Sequence, residues 1–193
     1  SDKLAYNGDT KTRTHLHLCS YTVDRVEEAA GDDFGEMKSR FQPDGITWLQ
    51  IHGLEDTDAV QAVCTHFGVD FLVMQDILNT DHASKVEEHD QYNVIIAKQI
   101  MGGEAMQVSL VQGADFVLTF QERDNDFFDD VMRAIRNNVL KIRTRQSDYL
   151  FSVLLNGLIT GYMSVAAAIS DGLEELESAL LADTGDRDIG VQM

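Results

Sequence analysis

The chain has 193 residues, with 33 acidic and 15 basic side chains, a formal net charge of −18 and a pI near 4.4. A polyanion of this density repels nucleic-acid phosphates and anionic lipid headgroups, which excludes a general nucleic-acid or peripheral membrane binder and leaves cations as expected partners. Hydrophobic residues make up 44% of the sequence, enough to bury a core in one domain or one domain plus an appendage, so the charge does not mean disorder.

Along the chain, His15-Leu16-His17-Leu18-Cys19-Ser20-Tyr21 alternates and predicts a strand. The acidic stretch from Asp24 to Glu36 reads as turn or loop. A turn at Gln42-Pro43-Asp44-Gly45 precedes a strand at Ile46-Thr47-Trp48-Leu49-Gln50-Ile51. Asp56-Thr57-Asp58 caps a short helix with Val60, Val63, Cys64 and Phe67 on one face and Gly68 as its stop. A second short helix is expected from Phe71 to Leu78, with Asp70 as cap. Tyr92 to Ile100, Met106 to Gln112 and Phe116 to Gln121 predict an antiparallel meander, turning at Gly102-Gly103 and Gly113-Ala114-Asp115. Phe127, Phe128, Val131, Ile135 and Val139 mark a further helix. The interleaving predicts an α/β/α sandwich with a mixed, partly antiparallel sheet, followed by a long C-terminal helix.

That last helix lacks charged side chains from Tyr149 to Ser170, a length that raises the question of a membrane span. Periodicity argues against one. Leu150, Leu154, Leu158, Tyr162, Val165, Ile169, Leu173, Leu176 and Leu180 form a stripe at steps of three and four, and Ser152, Asn156, Thr160 and Ser164 form a polar strip. The pattern predicts one helix buried along one side, with an acidic distal end that frays from Asp183 to Asp186. The expected division is an α/β domain over 1–145 and, over 146–193, a long helix packing on that domain.

Chemistry-bearing patterns are sparse. His15 and His17 share one strand face and are able to grip a metal, but no third ligand is near in sequence, so exposed edge-strand histidines are the preferred reading. His52, His66, His82 and His89 show no metal-ligand spacing. Asp124-Asn125-Asp126 with Asp129-Asp130 lacks the glycine and terminal glutamate of a calcium loop, and is read as a helix N-terminus rich in dipole-compatible acids. Arg133, Arg136, Lys141, Arg143 and Arg145 read as a solvated helix face before an acidic-partner surface. Cys19 and Cys64 have no CxxC partner, which points to a reducing compartment. No nucleophile elbow or triad context is present, so no enzyme is expected. Asp76, within the apolar run Phe71 to Leu78, is either turned to solvent or placed at a contact.

Phe71-Leu72-Val73-Met74-Gln75-Asp76-Ile77-Leu78-Asn79 resembles the "PLVxEDILN" segment of the CorA family of divalent-metal transporters. The resemblance runs in order through Thr47-Trp48-Leu49-Gln50-Ile51, Ser84-Lys85-Val86-Glu87 ("RPKVE"), Gln107-Val108-Ser109-Leu110 ("EQVSL") and Val117-Leu118-Thr119-Phe120-Gln121-Glu122 ("VLTFQE"). It continues through Asp126 to Arg136 and Ser147-Asp148-Tyr149-Leu150. A magnesium-type member fits better than the zinc-exporting branch.

The resemblance implies a homopentameric channel for magnesium, with cobalt also passing, whose cytoplasmic α/β/α domain leads through a stalk to two membrane helices. The Gly-Met-Asn pore signature is absent here, so the expectation is the cytoplasmic domain of an inner-membrane protein, joined to the membrane only through helices beyond this sequence. The expected role is Mg²⁺ sensing, with regulatory Mg²⁺, or Co²⁺ or another divalent cation, held between neighbouring copies. The family's "ED" acids correspond to Gln75 and Asp76, a neutral residue standing in the first place, and its "LIDALVDD" acids correspond to Asn156, Thr160 and Gly161. Asp76 and Gln75 are therefore the expected metal residues. The competing expectation is a soluble acidic protein-interaction module without metal function.

Overall fold

The computed structural model describes residues 3–81 and 83–192, with backbone alone over 162–166 and 184–192. Seven strands form one sheet: β1 (His15–Tyr21), β2 (Val26–Gly31), β3 (Ile46–His52), β4 (Lys85–Glu88), β5 (Tyr92–Met101), β6 (Glu104–Gly113) and β7 (Phe116–Gln121). Their spatial order is β2-β1-β3-β7-β6-β5-β4. All neighbouring pairs are antiparallel except β3 and β7, which run parallel with Thr47 opposite Phe116 and His52 opposite Gln121. The sheet is therefore mixed, as the interleaved pattern predicts.

Alternation divides the strand side chains between two faces. Leu16, Leu18, Leu49, Ile51, Leu118 and Phe120 point to one face and form a single buried cluster with the helices over it. Those helices are α1 (Phe34–Met37), α2 (Thr57–His66) and α3 (Phe71–Leu78). On the opposite face, Trp48 is fully buried edge-on against Phe128, ring centroids 6.1 Å apart, and donates its indole N–H to Thr119 Oγ1 at 3.2 Å. Phe128 leads into α4 (Asp129–Arg136), whose Val131, Met132 and Ile135 are buried. Covering both faces lets the central strands be apolar on each side.

Local chemistry explains several boundaries. Asp56 caps α2 by accepting from the Ala59 N–H at 3.0 Å, and Gly68, at φ +73°, lets the chain leave it. Asp70 sits at the N-cap of α3, yet its carboxylate makes no capping bond and instead accepts from Tyr92 Oη at 3.0 Å. Gly102 and Gly103 both have positive φ, the geometry a two-residue hairpin between β5 and β6 requires. The N-terminal segment is tied down by Tyr6, whose Oη donates to Glu122 Oε1 at 2.5 Å, while Glu122 Oε2 accepts from the Gln107 backbone N–H at 2.8 Å.

Four expectations need correction. The acidic stretch from Asp24 to Glu36 contains β2 and α1 rather than only loop. β2 pairs on one side alone, so its charged side chains Glu27 and Glu28 suit an edge and leave no apolar alternation to read. β4 is the opposite edge and is hidden in the same way. α4 ends at Arg136, and Val139 is exposed beyond it, because Asn138, Leu140 and Lys141 adopt left-handed conformations that break the helix.

The fourth concerns the last helix, α5 (Ser147–Gln192), which continues through Asp183 to Asp186 instead of fraying. Its first turn is fixed by Ser147 Oγ, which donates to Gly113 O at 2.5 Å and accepts from Gln112 Nε2 at 2.9 Å. Leu150, Leu154 and Leu158 are buried as expected, but Ile169, Leu173, Leu176 and Leu180 are 57–61% exposed. The side chains of Tyr162 and Val165 lie outside the described residues. The first compact unit extends to Gly157 and the second comprises the helix from Leu158 onward. Among the described residues no helix is long and apolar enough to cross a membrane.

Candidate metal sites

The apolar residues of α3 determine where its polar ones go. Val73, Met74, Ile77 and Leu78 are buried, which turns Leu72 outward at 71% exposure and leaves Gln75 and Asp76 half-buried at the margin. Gln107 Nε2 donates to the carbonyls of Asp76 and Ile77, at 3.3 and 3.0 Å, satisfying acceptors at the open end of the helix. Asp76 Oδ2 forms an ion pair with Lys85 Nζ, and the same ammonium reaches Glu87 Oε1 at 2.6 Å. Lys85 and Glu87 lie two apart on β4, so both project from one face.

Glu87 Oε2 in turn meets His89 Nε2 at 2.9 Å. Burial works against the charge on Lys85, but its hydrogen bonds to Asp76 and Glu87 outweigh that and raise its pKa. Hydrogen bonds from Lys85 and His89 hold the Glu87 carboxyl below its usual range. The two carboxylates thus converge on one cation, which here is an ammonium.

A second cluster gathers at the other face of the sheet. β1 and β3 pair with His15 opposite His52 and His17 opposite Gln50, so the three imidazoles share one face. Their ring centroids are 5.0 Å apart for His15 and His17, 5.4 Å for His15 and His52, and 5.2 Å for His17 and His52. Asp124, just beyond the end of β7, brings Oδ1 to 3.3 Å from His15 Nε2 and 3.6 Å from His52 Nδ1. Its loop is braced by Asn125, whose Oδ1 accepts from the Phe127 N–H at 3.1 Å and from Gln121 Nε2 at 3.0 Å.

The electrostatics of this cluster follow from burial. His52 is only 2% exposed and its pKa falls to about 4, mainly because the charged ring is poorly solvated there. His17 is lowered too, first by burial and then by the neighbouring His15. The donor atoms of His15, His17 and Asp124 all lie within 4.8 Å of one another. His17, His52 and Asp124 border a cleft of about 630 Å³ that Glu28, Asp126, Asp129 and Arg136 also line.

The structure thus brings to His15 and His17 a third candidate donor, which the sequence around them lacks. No local signal could have identified Asp124, because only the parallel pairing of β3 with β7 carries it to β1. His66 lies elsewhere, against Phe34 and Phe67, and His82 lies outside the described residues. The basic residues after Asp129 do not form one free face: Arg133 pairs with Asp130, Arg136 with Glu28, and Arg145 lies over Tyr149.

Comparison with known proteins gives this geometry a context. The family model described as "CorA-like Mg2+ transporter protein" matches residues 43–192. The chain belongs to the CorA family. Its Thermotoga maritima relative, "Cobalt/magnesium transport protein CorA", is 32% identical over 184 residues, covering 92% of this chain and 52% of the relative. The chain thus spans about half the length of that CorA protein.

The soluble domain of CorA from Methanocaldococcus jannaschii superposes with a TM-score of 0.63 at 18% identity, over 91% of this chain and 67% of that one. The ZntB cytoplasmic domain from Vibrio parahaemolyticus gives 0.58 at 10% identity, over 83% and 64%. At these identities the likeness establishes the CorA soluble-domain fold. Both the α3 residues and the Asp124 loop fall within the CorA-matched segment, whereas His15 and His17 precede it.

Proposed function

We propose that this chain is the cytosolic, Mg²⁺-sensing part of a CorA-like magnesium/cobalt transporter at the cell membrane, and that a regulatory Mg²⁺ binds at Asp76 beside Gln75. The observation that carries the reading is the convergence of Asp76 and Glu87 on the Lys85 ammonium, within the segment matched to the CorA family. Mg²⁺ prefers carboxylate and water oxygens in octahedral geometry. It would take the ammonium's place while keeping several waters, with the Gln75 carbonyl oxygen as a neutral partner.

The net charge of −18 supplies the coupling. Acidic copies brought together in a homopentamer repel, and a bridging divalent ion offsets that repulsion and favours the closed assembly. Loss of the ion then shifts the population towards the open one. The ion acts as a ligand of a two-state assembly, and the role is transport regulation rather than enzymology.

The test is Mg²⁺ titration of the full-length protein with resistance to proteolysis as readout. Mg²⁺ protects the wild type, Asp76→Ala requires more of it, and Lys85→Met requires less because the competing cation is gone. Equal protection of wild type and Asp76→Ala at every concentration removes Asp76 from the role. An unchanged Lys85→Met curve eliminates cation exchange as the mechanism.

A further inference from the structure

We propose that His15, His17 and Asp124 form a site for a first-row transition cation such as Zn²⁺ or Co²⁺, separate from the Asp76 region and independent of the Mg²⁺ reading. Two imidazoles and one carboxylate are a borderline donor set that suits these ions and is poorly matched to Mg²⁺, which takes oxygen ligands. A tetrahedral ion with bonds of about 2.0–2.1 Å sets its donors roughly 3.4 Å apart. His15 Nε2 and Asp124 Oδ1 already stand at 3.3 Å, and all three donors fall within 4.8 Å.

The Asp124 side chain, 62% exposed, is free of close packing and can turn towards an ion held by the two imidazoles. The adjoining cleft of about 630 Å³ has room for the water that would complete the coordination.

Three features show a site supported from behind. His52, buried beneath the ligands, contacts the Arg123 carbonyl through Nδ1 at 3.3 Å and Gln50 Oε1 through Nε2 at 3.3 Å, so it positions the loop rather than binding the ion. His15 Nδ1 lies 3.2 Å from the Arg13 carbonyl, which favours the tautomer that turns an unprotonated Nε2 towards Asp124. The cleft is also acidic: Arg136 is engaged by Glu28 through its Nε and Nη2, leaving Asp126 and Asp129 to attract a cation.

Topology agrees. β3 and β7 are the parallel pair, and His52 and Asp124 lie at and just past their carboxyl ends, where open α/β sheets place their ligands.

The experiment uses the whole 193-residue chain, stripped with a chelator and titrated with Co²⁺ while its visible absorption is followed, then with Zn²⁺ in competition. One equivalent of Co²⁺ binds with the bands of nitrogen and oxygen ligation, Zn²⁺ displaces it, and a large excess of Mg²⁺ does not. Asp124→Asn and the double variant His15→Gln/His17→Gln each weaken Co²⁺ binding more than about 10-fold, the least that loss of a direct ligand should cost. Asp76→Ala leaves it unchanged.

Near-ultraviolet circular dichroism of Trp48 verifies the fold of each variant, and the exposed Asp124 change keeps the test decisive if the β1 variants unfold. The proposal is overturned if the wild type binds no Co²⁺, if Asp124→Asn binds it as tightly as wild type, or if Mg²⁺ displaces it. Loss of Co²⁺ binding in Asp76→Ala alone would assign the ion to α3 and overturn this site while sparing the Mg²⁺ reading.

Discussion

Tyr6→Phe isolates one hydrogen bond that ties the N-terminal segment to the sheet. The substitution keeps the ring and removes the Oη that donates to Glu122 at 2.5 Å, leaving that 6%-exposed carboxylate with the Gln107 N–H as its remaining donor in this pair of bonds. A hydrogen bond to a charged group is worth about 1.5–3 kcal/mol. Tyr6 is half-buried, so water recovers part of this and the lower end, about 1.5 kcal/mol, is expected at neutral pH.

The alkaline limb gives a second, independent reading. Burial first, and then the hydrogen bond to Glu122, raise the Tyr6 pKa from 10.0 to about 12. A group raised in the folded state contributes stability that is full below pH 10 and is lost as pH climbs through 12. Two units correspond to at most about 2.7 kcal/mol, and solvent contact at this site roughly halves it.

Urea unfolding followed by the fluorescence of the single tryptophan, Trp48, measures both effects. Tyr21 and Tyr92 are also raised, but they titrate in wild type and variant alike. Tyr6→Phe should therefore be less stable at neutral pH and lose less on going from pH 10 to 12. In a double-mutant cycle with Glu122→Gln the two costs should fall short of additive, because both changes break one bond. Superimposable neutral midpoints and alkaline slopes for wild type and Tyr6→Phe would refute the reasoning.

Two further outcomes are expected. Cys19 and Cys64 are buried and each thiol is pushed up to about 12, so neither reacts with a thiol reagent in the native state at neutral pH and both react in denaturant; rapid native labelling of either contradicts the packing. Gly53 has φ +82°, and a Cβ there would meet the Thr12 carbonyl oxygen at 2.5 Å. Gly53→Ala should therefore cost more than about 2 kcal/mol, read as a lower Tm, and an unchanged Tm would show that the β1–β3 end relaxes freely.

What the sequence discloses depends on how local the controlling physics is. α2 is legible because Asp56, the Val60–Val63–Cys64 stripe and Gly68 lie within one short window. The meander of β5 to β7 is legible from alternation and from paired glycines that favour the hairpin. β2 and β4 are not, since an edge strand carries charges on exposed positions and does not repeat a buried pattern.

The distal stripe of α5 shows the opposite error. Leu173, Leu176 and Leu180 repeat at helical spacing, and periodicity specifies a helix face but not whether anything in the same chain covers it. For the sites, Asp76 is legible as an acid in an apolar run, while its pairing with Lys85 depends on where β4 docks. The grouping of Asp124 with His15 and His17 depends on strand order, which no short window records.

The parallel contact between β3 and β7 also has a kinetic meaning. Residues 47 and 116 become neighbours only after α2, α3 and the strands β4 to β6 have been accommodated between them. Hairpins such as β5–β6 close over a few residues, whereas this pairing carries the entropy of a long loop and belongs late in folding. The carboxyl ends of β3 and β7, and with them the cleft that gathers His52 and Asp124, are therefore expected to form after the local hairpins.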